Sequence, residues 1–488
     1  MKKRICALAL AALLLTGCGK KPTKPIEQTQ STADYTGVRM LQPGDENGLY
    51  CFNREDAPGW LQLCYIDYAT RQAVTLCAQP NCTHDSEACT ACMPVGPRTK
   101  EVQTYADNVW VLDENTILMR YHKTATQDGT EVSEKWLDVA DRNGANRRTV
   151  WHDAVPDGKP DFDFAGIADE QALYGWMTED KEDSWRPQKG LYRVPLDGGE
   201  PELWIPEVGD IDRPLGVIDG KLIVRQEINP YTISEGEEDP NEKYPITDDM
   251  TIEEMNEAMH KRDEMYQEIA AAKSTARKIY VIDLNTRQCT DVFNFDIDVE
   301  NYSFIVEDDR IWWIADNGTV GWVTLDGTTG TLPLQWPEGL EQAYAGNTDE
   351  EKPDIQLEWV ADNKMIFTVS QPIVDLPLLG RGCPGQDRYS VDLESGFVTM
   401  LPQNFVWDGV TYPGFLWAET PEGFLVNYTV EHVKQMSQYA GDPTENDGYS
   451  PRLGLISYED FFDGKNAWEE IQIDCDLGTY QAFLDRNT

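Results

Sequence analysis

Seven times along this chain a short strand-like run opens on an aromatic or apolar residue and closes on an acidic or turn-forming one. The runs are Cys64-Tyr65-Ile66-Asp67, Trp136-Leu137-Asp138-Val139, Leu191 to Gly199, Lys278 to Leu284, Trp322 to Gly327, Arg388 to Leu393 and Leu455-Ile456-Ser457-Tyr458. Most follow a turn and a further β-run, as in Asp219 to Val224, Asp309 to Ile314 and Asn363 to Thr368. A unit of turn, strand, hairpin and strand carries apolar residues on both faces and cannot bury them alone. Stacking such units in a ring buries both faces. The chain is therefore predicted to be all-β, a single β-propeller of about seven blades over residues 35–488. Six or eight blades also fit, because the anchors at 65, 136, 192, 280, 322, 389 and 455 lie 42 to 88 residues apart. Two β-sandwiches with similar hairpins are the alternative fold.

The phrase Leu-Tyr-x-x-x-Leu-Asp-Gly-Gly at Leu191 to Gly199 is similar to one in extracytoplasmic bacterial propellers and, more distantly, in YWTD-type propellers. That resemblance implies a fold class and no activity. A ring also needs closing, so Gly37 to Leu41 or Trp468 to Ile473 is expected to complete a mixed blade. Asp141 to Gly144 and Asp316 to Gly318 read as hairpin turns, not calcium loops. Gly380 to Gly385 formally fits a dinucleotide fingerprint but is expected to be a loop, since Pro384 and a following strand exclude the helix that would hold a pyrophosphate.

One helical stretch, Asp248 to Lys278, interrupts the fourth repeat. It opens on a Thr251-x-x-Glu254 capping box and spaces Ile252, Met255, Met259, Tyr266 and Ile269 along one stripe. With the acidic loop before it, this makes an insertion over residues 235–278. The stripe is expected to pack against the propeller or to offer a Met-rich docking surface.

The first seventeen residues set the compartment. A basic start at Lys2, Lys3 and Arg4, an apolar run from Ile5 to Leu15 and the tetrad Leu15-Thr16-Gly17-Cys18 make an export signal over residues 1–17, too short to span a bilayer core of about 20 residues. The tetrad resembles the lipobox of bacterial lipoproteins. That resemblance implies that Cys18 becomes the lipidated N-terminus and that the protein sits on the outer, extracytoplasmic face of the cell membrane. Residues 18–34, rich in Lys, Pro, Thr, Gln and Ser, read as a flexible tether. Forty-one basic against 86 acidic residues give a net charge of −45. A nucleic-acid partner or an electrostatic grip on anionic lipid, both of which need basic patches, is excluded on that balance.

Of eleven cysteines, four crowd into sixteen residues with a histidine: Cys77-x4-Cys82-x-His84-x4-Cys89-x2-Cys92. Four thiols and an imidazole can close a tetrahedral zinc site, and in an oxidising compartment the same thiols can form two disulfides or stay reduced. The segment is similar to one found in other lipoproteins from Firmicutes. Cys51 and Cys64 flank a predicted hairpin and are candidates to pair across it. Cys289, Cys383 and Cys475 are scattered.

No catalytic motif assembles: five histidines occur outside any H-E-x-x-H, and no G-x-S-x-G elbow is present. Trp185, Trp336 and Trp417 lie near turns, where they could stack on sugar rings. The expected function is a membrane-anchored, non-catalytic binding or scaffold propeller for a protein, small-molecule or glycan ligand. The alternatives are a carbohydrate-active lipoprotein and a metal-binding sensor or carrier working through the Cys77 to Cys92 loop.

Overall fold

A computed structural model describes residues 36–475, apart from 54–59, 100–101, 128–129, 156–160, 182–183, 188–189, 207–212, 228–237, 248–249, 273–276, 295–301, 316–318, 337–354, 376–381, 408–409 and 437–444. Cys18, the signal segment, the tether and the turn at Asp316 to Gly318 lie outside the described residues.

Seven small antiparallel sheets stand in a ring, which makes the protein a seven-bladed β-propeller. Each of the seven sequence anchors falls on the third strand of a blade: Trp60–Asp67, Thr130–Asp141, Leu191–Pro195, Arg277–Asp283, Val320–Thr324, Gly382–Asp392 and Glu445–Ser457. The third strand has a partner on each side, so alternate residues face the two neighbouring blades. Tyr65 packs in the core shared by blades 1 and 2 while Ile66, next to it, packs in the core shared by blades 7 and 1. Ile279 and Val281 face blade 5; Tyr280 and Ile282 face blade 3. The acidic residue closing the motif caps the turn that follows. Asp283 Oδ1 accepts the backbone N–H of Asn285 and of Thr286, and Asp392 Oδ1 that of Ser395.

The ring closes through a mixed blade, as expected for Trp468 to Ile473: the C-terminal strand joins the sheet of blade 1. Glu469–Glu470 forms the fourth strand of blade 7, the fully buried Ile471 follows, and Gln472–Ile473 pairs in parallel with Gln72–Thr75, the outer strand of blade 1. The N-terminal strand Arg39–Met40 lies instead along the channel edge of Asp161–Ala168, the innermost strand of blade 3. That edge offers an unpaired row of backbone groups, and Leu41 N–H takes one of them at Gly166 O, 2.8 Å away.

Two local expectations change. Gly382 to Gly385 belongs to a strand, with Pro384 opposite Ile373 past a register shift in a long hairpin. The helical insertion lies between the second and third strands of blade 4 as a helix over Ile252–Ala272, opened by the capping box: Glu254 Oε2 accepts Thr251 N–H at 2.8 Å. Ile252 and Met259 are exposed, and the packed side runs through Met255, Ala258, Arg262, Tyr266 and Ile269. This side meets the short helix Pro240–Lys243, where Asn241 Nδ2 donates to Tyr266 Oη at 2.7 Å. No helix among the described residues is long and apolar enough to cross a membrane.

Strand direction sorts the connections between the two faces of the ring. First-to-second and third-to-fourth turns lie on one face and are short. Second-to-third connections lie on the other and carry the helical insertion and overhanging hairpins such as Gly423–Met436 with Glu445–Ser457.

Candidate metal centre

The cysteine-rich loop joins the outer strand of blade 1, Gln72–Thr75, to the first strand of blade 2, Val102–Val111. Its far end returns as strand Cys92–Pro97, which places Cys92 opposite Gln62. Between these strands the backbone takes the left-handed conformation at Asn81 and His84, with φ of 58° and 59°. Asn and His accept that conformation more readily than β-branched residues, and the two bends flank Cys82 and fold the loop back on itself.

Blade 2 closes over the loop from the other side. The turn Asp141 to Gly144 forms as expected, with Gly144 N–H donating to Asp141 O and φ of 80° at the glycine. A Cβ there would stand 3.2 Å from Leu76 O and 3.3 Å from Thr90 O, so this close approach also favours glycine. Leu76, Cys89, Ala91, Cys92 and Met93 are buried in the core that blades 1 and 2 share, with Trp60, Cys77, Cys82 and Trp136 packed against it.

Cys77, Cys82, His84 and Cys89 converge: one donor atom from each lies within 4.8 Å of all the others. Cys77 Sγ and Cys89 Sγ are 3.6 Å apart, and His84 Nδ1 is 3.3 Å from Cys89 Sγ. A tetrahedral zinc ion with Zn–S of about 2.3 Å and Zn–N of about 2.0–2.1 Å has S···S edges of about 3.8 Å and N···S edges of about 3.6 Å. A disulfide would need the sulfurs at about 2.05 Å. The two shortest spacings lie near those edges and far from a disulfide, and the four donors are a Cys3His set that could hold a metal ion.

The Cys77 sulfur also accepts hydrogen bonds from its own loop. Gln79 N–H donates to Cys77 Sγ at 3.4 Å, joined by the Thr90 hydroxyl at 3.5 Å. Cys92 N–H donates to Cys89 O at 3.2 Å. The backbone at His84 near Cys82, and at Ala91 and Cys92 near Cys89, likewise favours the ionised sulfur. Such donors favour thiolates, while the thiols themselves oppose ionisation. Burial pushes Cys82 up to about 11, and a hydrogen bond to Cys92, with burial, pushes Cys89 higher still. A central divalent cation would resolve the conflict, because it would neutralise the charge that burial penalises. Cys92 stands outside the set: its thiol meets Cys89 and donates to His84 O at 3.5 Å.

The remaining candidates are scattered or engaged in packing. Cys51 and Cys64 lie directly opposite each other across the hairpin with no S–S bond between them, beside the seam of blades 7 and 1. Cys289 is exposed, Cys475 is half-buried, and the Cys383 side chain lies outside the described residues. Trp336 packs edge-on against Phe367 and Tyr389, Trp417 packs against the seam core, and the Trp185 side chain is outside the described residues.

Sequence reasoning missed the groups that hold the loop. Trp60 Nε1 donates to Asp85 O at 3.0 Å, Gln62 Nε2 to His84 O, and the Arg147 guanidinium to Cys92 O at 2.9 Å and Thr90 O at 2.8 Å. No spacing rule could find them, since all of them bond through backbone carbonyls far along the chain.

No family model matches the chain, and no curated protein matches it at a significant level. Solved structures do match. Oligogalacturonate lyase in complex with manganese is 11% identical, covering 83% of this chain and 85% of that one, at a TM-score of 0.34. The N-terminal domain of Nup159 is 10% identical over 73% of each chain, at 0.30. Likenesses this faint say nothing of activity.

Proposed function

We propose that the protein is a non-catalytic binding propeller, held at the outer face of the cell membrane by lipid on Cys18, whose rim carries a soft-metal site suited to zinc. The convergence of Cys77, Cys82, His84 and Cys89, whose donor atoms lie within 4.8 Å of one another, carries the metal reading. Three thiolates and an imidazole fill all four positions of a tetrahedral ion, leaving no position for substrate, so the site binds and does not catalyse. The anchor reading rests on Leu15-Thr16-Gly17-Cys18 behind an apolar run, and the face with long connections is the surface offered to a protein, small-molecule or glycan ligand.

The test is metal analysis of the purified chain. The expected result is about one zinc per chain, removed by a strong chelator, with Cys77, Cys82 and Cys89 alkylated quickly only afterwards. Cys89→Ser should lose the ion. A wild-type chain that holds no zinc at micromolar concentrations, or whose loop thiols react only after reduction, refutes the metal reading. Incorporation of labelled palmitate, lost in Cys18→Ser, tests the anchor separately.

A further inference from the structure

We infer that the Cys3His pocket is an exchangeable metal site preassembled by the blades, with Arg147, Gln62 and Trp60 as positioning residues that set its affinity. This rests on the metal reading above and goes further, because it separates a sensor or carrier site from a structural staple.

In small zinc modules the ligand loop has no core of its own, so binding free energy becomes folding free energy and a chelator unfolds the module. This loop is built differently. Its return strand is buried between blades 1 and 2, and bonds that involve no sulfur fasten it along its length. Gln79 Nε2 donates to Ala88 O at 2.6 Å, Ala78 N–H to Thr90 Oγ1 at 3.0 Å and Leu63 N–H to Ala91 O at 2.9 Å. Trp60 and Gln62 hold the carbonyls of Asp85 and His84, fixing the bend that aims the imidazole. Arg147 holds the carbonyls on either side of Ala91, next to Cys89.

Access points the same way. Cys77, Cys82 and His84 are half-buried, and the residues around them, Ala78 to Asn81, Thr83 and Asp85 to Ala88, are exposed. An ion can therefore enter from solvent without a blade opening. The ligands belong to the loop leaving blade 1, whereas Arg147 belongs to blade 2, so the affinity of the site reports the fit between two blades. Groups that orient metal ligands from behind typically change affinity by about 10–100-fold when removed.

The experiment uses the full folded chain and measures zinc affinity by competition with a chromophoric chelator, with Co(II) absorption as the signature of the donor set. Arg147→Ala and Gln62→Leu are each expected to raise the zinc Kd by about 10–100-fold, and Arg147→Lys to recover part of the loss. The Co(II) spectrum of each variant should keep its thiolate bands, and near-UV circular dichroism of the wild type should persist through metal removal. Arg452→Ala, at a distant surface pair, should leave Kd unchanged. If both variants stay within twofold of wild type, or if chelation collapses the near-UV signal, the inference fails while the metal reading stands. If the wild-type chain binds neither ion, both fall.

Discussion

The clasp between the last and first blades is the point at which the ring can be tested most sharply, and Ile471→Ala is the perturbation. Blades 7 and 1 come from opposite ends of the chain and are clasped by the run Glu469 to Ile473, and Ile471 lies wholly buried in their shared core with Leu49, Ile66, Leu425 and Leu453. Its backbone N–H donates to Leu453 O at 2.9 Å, and the flanking Gln472 N–H donates to Arg71 O at 2.8 Å; an alanine keeps both bonds. The substitution therefore isolates the side chain. Truncating a buried isoleucine to alanine costs about 2–5 kcal/mol, and a site sealed on both sides by strands cannot collapse around the void, so about 3 kcal/mol is expected. At an m-value of about 3 kcal/mol/M this lowers the urea midpoint by about 1 M, with m unchanged because the ring still unfolds as a unit. Ile223→Ala is the reference, since it is as buried between blades 4 and 5 where the chain runs continuously. If Ile471→Ala costs less than about 1 kcal/mol while Ile223→Ala costs about 3, the clasp does not close the ring.

Two further perturbations address buried charge. Burial, reinforced by Glu419 and Asp308, pushes the Glu307 carboxyl up to about 7. Between about pH 4.5 and 7 the folded chain keeps a proton that the unfolded chain has lost, so this group's contribution makes stability fall as pH rises through that window. Glu307→Gln should thus stabilise by about 1–2 kcal/mol at pH 8, after allowance for solvent screening, and by nothing at pH 4; an equal gain at both, measured by urea melts, would refute it. Arg388, 1% exposed, is gripped by Glu358 through Nε at 2.6 Å and Nη2 at 3.0 Å and also donates to Gly414 O. Glu358→Gln should cost about 3–5 kcal/mol by thermal or urea unfolding, and the Glu358→Leu/Arg388→Met double variant should recover most of it; a double variant as weak as the single one contradicts the account.

The fold was legible in this sequence because its information is local. Third strands need alternating apolar residues and an acidic or turn-forming residue within about seven positions, and these marks recur around the ring despite insertions, with Ser457 in the capping place in blade 7. Closure was only partly legible: Trp468 to Ile473 bridges the seam, but pairing partners such as Gln72 lie 400 residues away, and the channel edge taken by Arg39–Met40 exists only once blade 3 is folded. The helix was legible through its capping box, and of the predicted stripe Met255, Tyr266 and Ile269 pack while Ile252 and Met259 stay exposed, with the short helix Pro240–Lys243 meeting the packed side. The metal donors were visible as a cluster. How they are brought together depends on the bends at Asn81 and His84 and on Gln62 and Arg147, none of which announces itself by residue type.

The acidity of the chain looks like a code for a cationic partner, and the turns argue otherwise. Asp113, Asp169, Asp283, Asp326 and Asp392 each accept backbone N–H bonds within their own turns. At Asp283 and Asp392 these bonds favour the ionised form, and hydrogen bonds from Thr324 and Thr328 hold Asp326 at about 2. Strand direction then gathers the turns on one face, so its negative charge follows from turn chemistry repeated blade by blade. A feature repeated from blade to blade does not single out a ligand. Specificity must lie where the repeats differ: in the thiol loop between blades 1 and 2, the helical insertion of blade 4 and the hairpins that overhang the opposite face.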